Sequence, residues 1–156
     1  MIFAPVMKDI KEQLYKMCID FVQKRIDEAK QAIEDTRESA DEETKSSAGD
    51  KYETGREMMQ QETDRNQAQL NEANKLMIAL SSIAYSTNYT QGGAGSLVST
   101  DKGNFFIAIS AGTLHIGPQL FYVVSPASPI GLKLNGKKEG DSFELNGRDY
   151  YIEQVA

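Results

Sequence analysis

The sequence predicts an α+β protein, in which an N-terminal antiparallel helical hairpin precedes a small, mainly antiparallel β domain with one short helix. Two observations support this prediction. Ten of the twelve glycines and three of the four prolines lie beyond residue 90, so the two parts of the chain differ sharply in composition. The apolar residues also change their period, from about 3.5 residues in the first part to about two in the second.

Residues 1–86 are expected to form two long helices that meet along a coiled-coil seam. The segment is rich in Glu, Lys, Gln, Ala and Met, which lose little conformational freedom in a helix. In the second helix, seam positions recur every seven residues, at Tyr52, Met59, Asn66, Ala73 and Leu80. Pairing Ile10 with Ala84 and Ile33 with Met59 places the turn of the hairpin at residues 44–50.

The negative charge of the chain is concentrated around this turn. Residues 34–57 contain nine acidic and four basic residues, a net charge of −5 out of −6 for the whole protein. Charged residues on a helix surface commonly serve only solvation, but like charges crowded at the far end of a hairpin repel one another and cost stability. We therefore interpret residues 41–50 as an acidic tip with a function.

Residues 87–94 are polar and glycine-rich and are predicted to be a linker, and residues 95–156 are predicted to be the β domain. A short helix is expected at residues 128–136, because Ser128 can cap it, Pro129 suits its first turn and Gly136 can end it. Asn146-Gly147 is typical of a tight hairpin turn. The strands are expected at 95–100, 104–110, 113–116, 119–124, 141–145 and 149–155.

Several function classes are excluded by composition. No run of apolar residues is long enough to span a membrane, and the first residues lack the basic segment and cleavage site of a signal peptide. The single cysteine, Cys18, excludes an internal disulfide and a multi-cysteine zinc site. An acidic chain without a basic stripe is not expected to bind nucleic acid sequence-specifically. We therefore expect a cytoplasmic location and no cofactor of the protein's own.

The chain offers little for catalysis by itself. His115 falls in a predicted strand and Cys18 on the first helix, so a Cys–His nucleophilic pair, and with it an acyl-condensing enzyme, is not expected. The segment Gly92–Gly95 lacks the lysine of a phosphate-binding loop. The carboxylates of the tip remain. They suit Mg²⁺, and a hairpin tip that cannot enclose a metal can complete a metal site on another macromolecule.

Residues 125–141, which read SPASPIGLKLNGKKEGD, are similar to a segment of a known family. The Ser-Pro-Ile, Gly-Lys and Gly-Asp elements of this stretch resemble the bacterial Gre transcript-cleavage factors, GreA and GreB. In both, a hairpin follows whose last strand resembles residues 151–155, and the Lys51-Tyr52-Glu53 segment is similar to the family's Glu-Tyr position. The layout matches over nearly the whole chain, and the specific likeness covers residues 125–155.

The resemblance implies an FKBP-like C-terminal domain that docks on the rim of the secondary channel of RNA polymerase. It also implies a coiled coil that enters the channel, where tip acids help to hold a second Mg²⁺, shared with the polymerase, for cleavage of backtracked RNA. The protein would then be a monomeric accessory factor of transcription elongation without an active site of its own. By this resemblance the docking residues are Ser125, Ser128, Pro129, Ile130 and Gly131. The carboxylates expected to act in the polymerase site are Glu43 and Asp50, which would share the Mg²⁺, followed by Glu42 and Asp41.

The sequence departs from the family pattern at two places. Alignment on Tyr52 puts Lys45 and Ala48 at the family's two acidic positions, and Ala127 stands where the family usually has Asp or Asn. A second hypothesis is therefore a secondary-channel regulator or inhibitor that does not promote cleavage. A third is an interaction protein unrelated to transcription, either a coiled-coil oligomer or an FKBP-like chaperone or isomerase; polar Asn66 in the seam argues against the oligomer.

Overall fold

The α+β fold class is confirmed by the structure, a computed structural model that describes the backbone of residues 4–46 and 50–156 and the side chains of residues 6–42 and 54–156. Two long helices packed against each other precede a six-stranded mixed sheet and one short helix. The elements are α1 (Ala4–Ser46), α2 (Asp50–Ser81), β1 (Leu97–Thr100), β2 (Gly103–Ile107), β3 (Gly112–Ile116), β4 (Gln119–Val124), α3 (Pro129–Leu134), β5 (Ser142–Leu145) and β6 (Arg148–Val155). Residues 47–49 of the expected turn lie outside the described residues.

The contacts divide the chain into two compact units. One consists of Met1–Asp20 together with Ala79–Ala156, and the other is Phe21–Ile78. These units are defined by contacts between residues and do not test where one independently folding domain ends and the next begins. The domain boundaries expected near residues 86 and 95 therefore stay a prediction.

Within Phe21–Ile78 the two helices run antiparallel and bury a narrow apolar seam. Val22, Ile26 and Ala29 of α1 and Ala73 of α2 are buried, at the spacing of one helix face. A polar pair is buried as well: the Asn66 side-chain amide donates to the Thr36 hydroxyl over 3.3 Å, and that hydroxyl donates to the carbonyl of Ala32 over 2.9 Å.

The Thr36–Asn66 contact shows that the predicted axial register of the hairpin is wrong. If Ile33 lay opposite Met59, Thr36 would face residue 56, and Asn66 would be about 15 Å further along its helix. The error has a simple cause. A heptad pattern indicates which face of each helix is buried, but it does not determine which turn of one helix lies opposite which turn of the other.

The sheet has the strand order β3-β4-β2-β1-β6-β5. Four of its pairings are antiparallel, as expected, whereas β2 and β4 pair in parallel, which the sequence pattern did not indicate. The β5–β6 hairpin turns at Asn146 and Gly147, both with positive φ (54° and 76°), as the Asn-Gly pair predicts.

Helix α3 packs against one face of this sheet. Leu134 joins a buried cluster with Val98, Phe105, Ile107 and Ile152. Partly buried rings extend the cluster, with Phe105 stacked on Tyr122 and Phe143 stacked on Tyr150. The opposite face of the sheet is also buried at its centre, since Leu97, Phe106 and Phe121 show no exposed surface. The central strands therefore bury apolar side chains on both faces of the sheet.

The end of α2 and the segment after it are held by the first turns of α1. The Tyr15 hydroxyl donates to the carbonyl of Leu80 over 3.1 Å, and its ring stacks on Tyr85. Lys11 is only 2% exposed. Its ammonium donates to the carbonyl of Thr87 over 2.8 Å and lies 4.8 Å from the centre of the Tyr89 ring.

The segment predicted as a linker is bonded to the β domain. The Gly92 amide donates to the backbone carbonyl of Lys137 over 2.8 Å, and the Gly136 amide donates to the backbone carbonyl of Gly92 over 2.9 Å. Residue 92 therefore lies directly against the end of α3.

Candidate docking site

The segment that carries the expected docking residues is a tightly bonded loop and helix start. The Ser128 hydroxyl accepts from the Gly131 amide over 3.1 Å and donates to the carbonyl of Ser125 over 2.6 Å. Ser128 is thus the N-cap of α3, and Pro129 occupies the first turn, where its missing amide hydrogen costs nothing. The backbone amide of Ser128 also donates to Ser125 over 3.1 Å, which closes the loop on itself.

Gly131 is required by this geometry. A Cβ atom at this position would overlap the carbonyl oxygen of Ser125 and lie 2.9 Å from that of Pro126. The loop therefore passes directly over the first turn of α3, and Gly131 lets it do so. This is a structural role, and it agrees with the buried position of Gly131.

The expected docking residues differ in how accessible they are. Pro129 is exposed, Ser125, Ser128 and Ile130 are half-buried, and Gly131 is buried. Ile130 packs against the core cluster beneath α3. Pro129 is thus the most accessible of the five residues.

A further exposed apolar side chain, missed in the sequence, lies on the same helix. Leu132 is 65% exposed, while Leu134, two residues later, is fully buried. Residues two apart on a helix point in different directions, so a short helix with two leucines at this spacing must expose one of them. We call the four exposed residues Pro126, Ala127, Pro129 and Leu132 the α3 patch.

The tip carboxylates are only partly described. Asp41 and Glu42 are exposed on α1, whereas the side chains of Glu43 and Asp50 lie outside the described residues. Among the side chains that the structure describes, no three His, Cys, Asp or Glu residues are grouped closely enough to hold a metal ion. The shared Mg²⁺ site therefore stays a prediction.

The two residues considered for nucleophilic catalysis have other surroundings. His115 is exposed on β3, where it pairs with Leu120 of β4. Cys18 is buried on α1, and burial raises the pKa of its thiol to about 12. Because the thiolate is the nucleophile, a thiol that stays protonated near neutral pH is unreactive.

Within the described residues, no helix is long and apolar enough to cross a membrane. No model of a known protein family matches the sequence, and no curated protein matches it.

Proposed function

We propose that the protein is a Gre-type accessory factor of bacterial RNA polymerase, which docks at the rim of the secondary channel and uses its hairpin tip inside it. The observation that carries this proposal is the combination, on one chain, of a helical hairpin with an acidic connecting segment and a mixed sheet with the α3 patch.

The hairpin suits entry into a channel. From residue 21 to its end at Ser46, α1 extends for about 40 Å, and a pair of packed helices is about 20 Å across. Outside the narrow seam the surface is mainly polar, apart from exposed Met58 and Ile78, and it carries exposed ion pairs such as Lys24–Glu28 and Glu72–Lys75. Such a rod stays hydrated on entering a water-filled passage, so insertion carries little desolvation cost.

The proposed chemistry belongs to the polymerase. A second Mg²⁺ next to a catalytic one stabilises the attacking and leaving oxygens during phosphodiester hydrolysis. Glu43 and Asp50, with Glu42 and Asp41 beside them, would supply carboxylate ligands to that ion. In this scheme the hairpin tip supplies carboxylates and holds them next to the polymerase site. The sheet domain, FKBP-like in this proposal, binds the polymerase through Pro129 and Leu132.

The test is RNA cleavage in a backtracked complex of the cognate polymerase with Mg²⁺. We expect the protein to stimulate cleavage, and Glu43→Ala or Asp50→Ala to reduce the stimulation by about tenfold or more, since even indirect partners of a bound metal are worth that much. Asp20→Ala, which removes an exposed carboxylate elsewhere on α1, is the matched control and should cleave like the wild type.

A second candidate function is a channel-binding regulator that does not promote cleavage. It is favoured by Lys45 and Ala48, which replace the two acidic residues of the family pattern. Binding to the polymerase without stimulated cleavage would establish this function, and cleavage lost in the Glu43 or Asp50 variant would exclude it.

A further inference from the structure

The β domain carries a shallow polar cavity. It measures about 450 Å³ and lies over β1 and its neighbours, on the face of the sheet opposite α3. Its floor contains Ser99 of β1 with its cross-strand partners Asn104 of β2 and Gln154 of β6. Cross-strand partners share a face of the sheet, so these three polar side chains face the cavity together.

Ser99 is the unusual member of this group. It is 7% exposed, and its hydroxyl is the one buried side-chain polar atom among the described residues that has no hydrogen-bond partner. A buried hydroxyl without a partner costs about 1–3 kcal/mol. The sequence keeps a serine here although alanine would avoid that cost, and the serine faces a cavity.

A β-bulge brings a carboxylate to the same cavity. Ser99 pairs with Gln154 and the next residue, Thr100, pairs with Ile152, so Glu153 is an extra residue in β6. Bulges of this kind redirect side chains, and here both Glu153 and Gln154 line the cavity.

The lining contains a second carboxylate, that of Glu139. Glu139 lies in a turn that is hydrogen-bonded to β6. The Gly140 amide donates to the backbone carbonyl of Ile152 over 2.8 Å, and the Ile152 amide donates to the backbone carbonyl of Asp141 over 2.9 Å. Tyr151 is fixed too, because its amide donates to the Asp101 carboxylate over 2.8 Å, a bond that lowers the pKa of Asp101. The cavity walls are thus preformed by backbone hydrogen bonds.

The charges of the lining indicate the chemistry of the ligand. Glu139 and Glu153 take part in no ion pair or side-chain hydrogen bond within the part of the chain that is described, and no lysine or arginine lines the cavity. The half-exposed Tyr151 ring adds a surface on which a planar cation can stack. A guanidinium group fits this set best, because its planar fork of donors matches carboxylates, hydroxyls and aromatic faces at once.

We propose that this cavity binds a guanidinium group, supplied by an arginine side chain of a partner protein. The two carboxylates hold the charge, the Ser99 hydroxyl accepts a hydrogen bond, and the side-chain amide of Asn104 binds the neighbouring peptide backbone. The site is independent of the α3 patch and the acidic tip, so its failure would leave the proposed function untouched, and the reverse also holds.

The experiment is an NMR titration of the ¹⁵N-labelled full-length protein with three probes: methylguanidinium, the blocked peptide Gly-Arg-Gly, and the same peptide with neutral citrulline in place of arginine. We expect saturable shifts of the amides of Ser99, Asn104 and Glu153 with the arginine peptide, and none with the citrulline peptide. Binding of the peptide should exceed that of methylguanidinium by about fivefold, which corresponds to about 1 kcal/mol from backbone contacts.

The variants make the result specific. Glu153→Gln should weaken peptide binding by about fivefold or more, whereas Glu144→Gln, a carboxylate on β5 outside the cavity, should not. Ser99→Ala should weaken binding without lowering the unfolding temperature, because it removes a hydroxyl that has no partner. Equal shifts with the citrulline peptide, or unchanged binding by Glu153→Gln, would overturn the proposal. Equal affinity for methylguanidinium and the peptide would overturn the proposal that the guanidinium group comes from a partner protein, because the peptide backbone would then add nothing to binding.

Discussion

Lys11 is the residue whose environment is most unusual for its type. Its ammonium is buried against the carbonyl of Thr87 and the ring of Tyr89, and none of its bonded partners in the described part of the chain is a carboxylate. Burial lowers the pKa of Lys11 to about 8. Nothing in the sequence indicated this, because Lys11 lies among other charged residues on a helix where lysine is ordinarily exposed.

The buried lysine predicts a pH dependence of stability. In the unfolded chain Lys11 titrates near pH 10.4, so between about pH 8 and that value the unfolded state binds a proton that the folded state has lost. The free energy of unfolding should therefore rise with pH across this range, by up to about 1.4 kcal/mol per pH unit. Denaturant unfolding at several pH values measures it, with Lys11→Met as the comparison.

The variant Lys11→Met keeps the volume of the side chain and removes its titration. Its free energy of unfolding should lack the rise that Lys11 produces, and the difference between the two proteins isolates this one group. Identical pH profiles for both proteins would show that Lys11 keeps an ordinary pKa in the folded state.

Two neighbouring glycines should respond in opposite ways to the same substitution. A Cβ atom on Gly92 would overlap the carbonyl oxygen of Leu134, whereas a Cβ on Gly93 would find its nearest neighbour, the Asn135 side chain, at 4.0 Å. We expect Gly92→Ala to lower the free energy of unfolding by about 1–3 kcal/mol, and Gly93→Ala to change it by less than about 1 kcal/mol. Thermal or denaturant unfolding of the pair is the measurement.

Equal stability of the two alanine variants would mean that α3 can move away from residue 92 at little cost. The sequence at residues 92–95, Gly-Gly-Ala-Gly, predicted only a linker. Which backbone comes close to which glycine depends on tertiary contacts, and a local composition signal contains no such information.

At the scale of elements, the hairpin contains a polar pair where the seam pattern would accept apolar residues. The side chains of Thr36 and Asn66 are both 7% exposed and hydrogen-bonded to each other. A polar residue in a seam commonly lowers stability and selects one register. The contact between residues 36 and 66 shows which register this is.

We therefore expect the double variant Thr36→Val/Asn66→Leu to be as stable as the wild type or more stable by up to about 2 kcal/mol, since both partners of the bond are replaced together. Its hairpin should lose its unique register, which would appear as doubled or broadened NMR signals from α1 and α2. A less stable variant with a single sharp set of signals would show that the pair stabilises the hairpin and does not select its register.

Element types could be predicted from the sequence more fully than element partners. The Ser128 cap, the Pro129 start and the Asn146-Gly147 turn all appear in the structure, because each depends on a few adjacent residues. The parallel β2–β4 pairing and the helix register depend on residues distant in sequence, and periodicity alone does not distinguish the alternatives.

At the scale of the whole molecule, three surfaces carry the proposed interactions: the acidic segment between α1 and α2, the α3 patch, and the polar cavity beside β1. The first was visible in the sequence as a local excess of charge. The segment expected to dock was indicated by a resemblance, whereas the exposure of Leu132 follows from the packing of α3, which buries Leu134. The cavity could not be predicted, because its carboxylates reach it through a bulge and a turn.

The measurement that tests the central claim most directly is the binding of this protein to the cognate core RNA polymerase, compared with Leu132→Glu and Thr113→Glu. Both substitutions add one negative charge at an exposed position, and Thr113 lies on edge strand β3, outside the α3 patch. We predict binding by the wild type and Thr113→Glu, and at least about a tenfold loss for Leu132→Glu, because the variant places a charge where an apolar contact is expected. No binding of the wild-type protein, or equal binding of all three, would contradict the account.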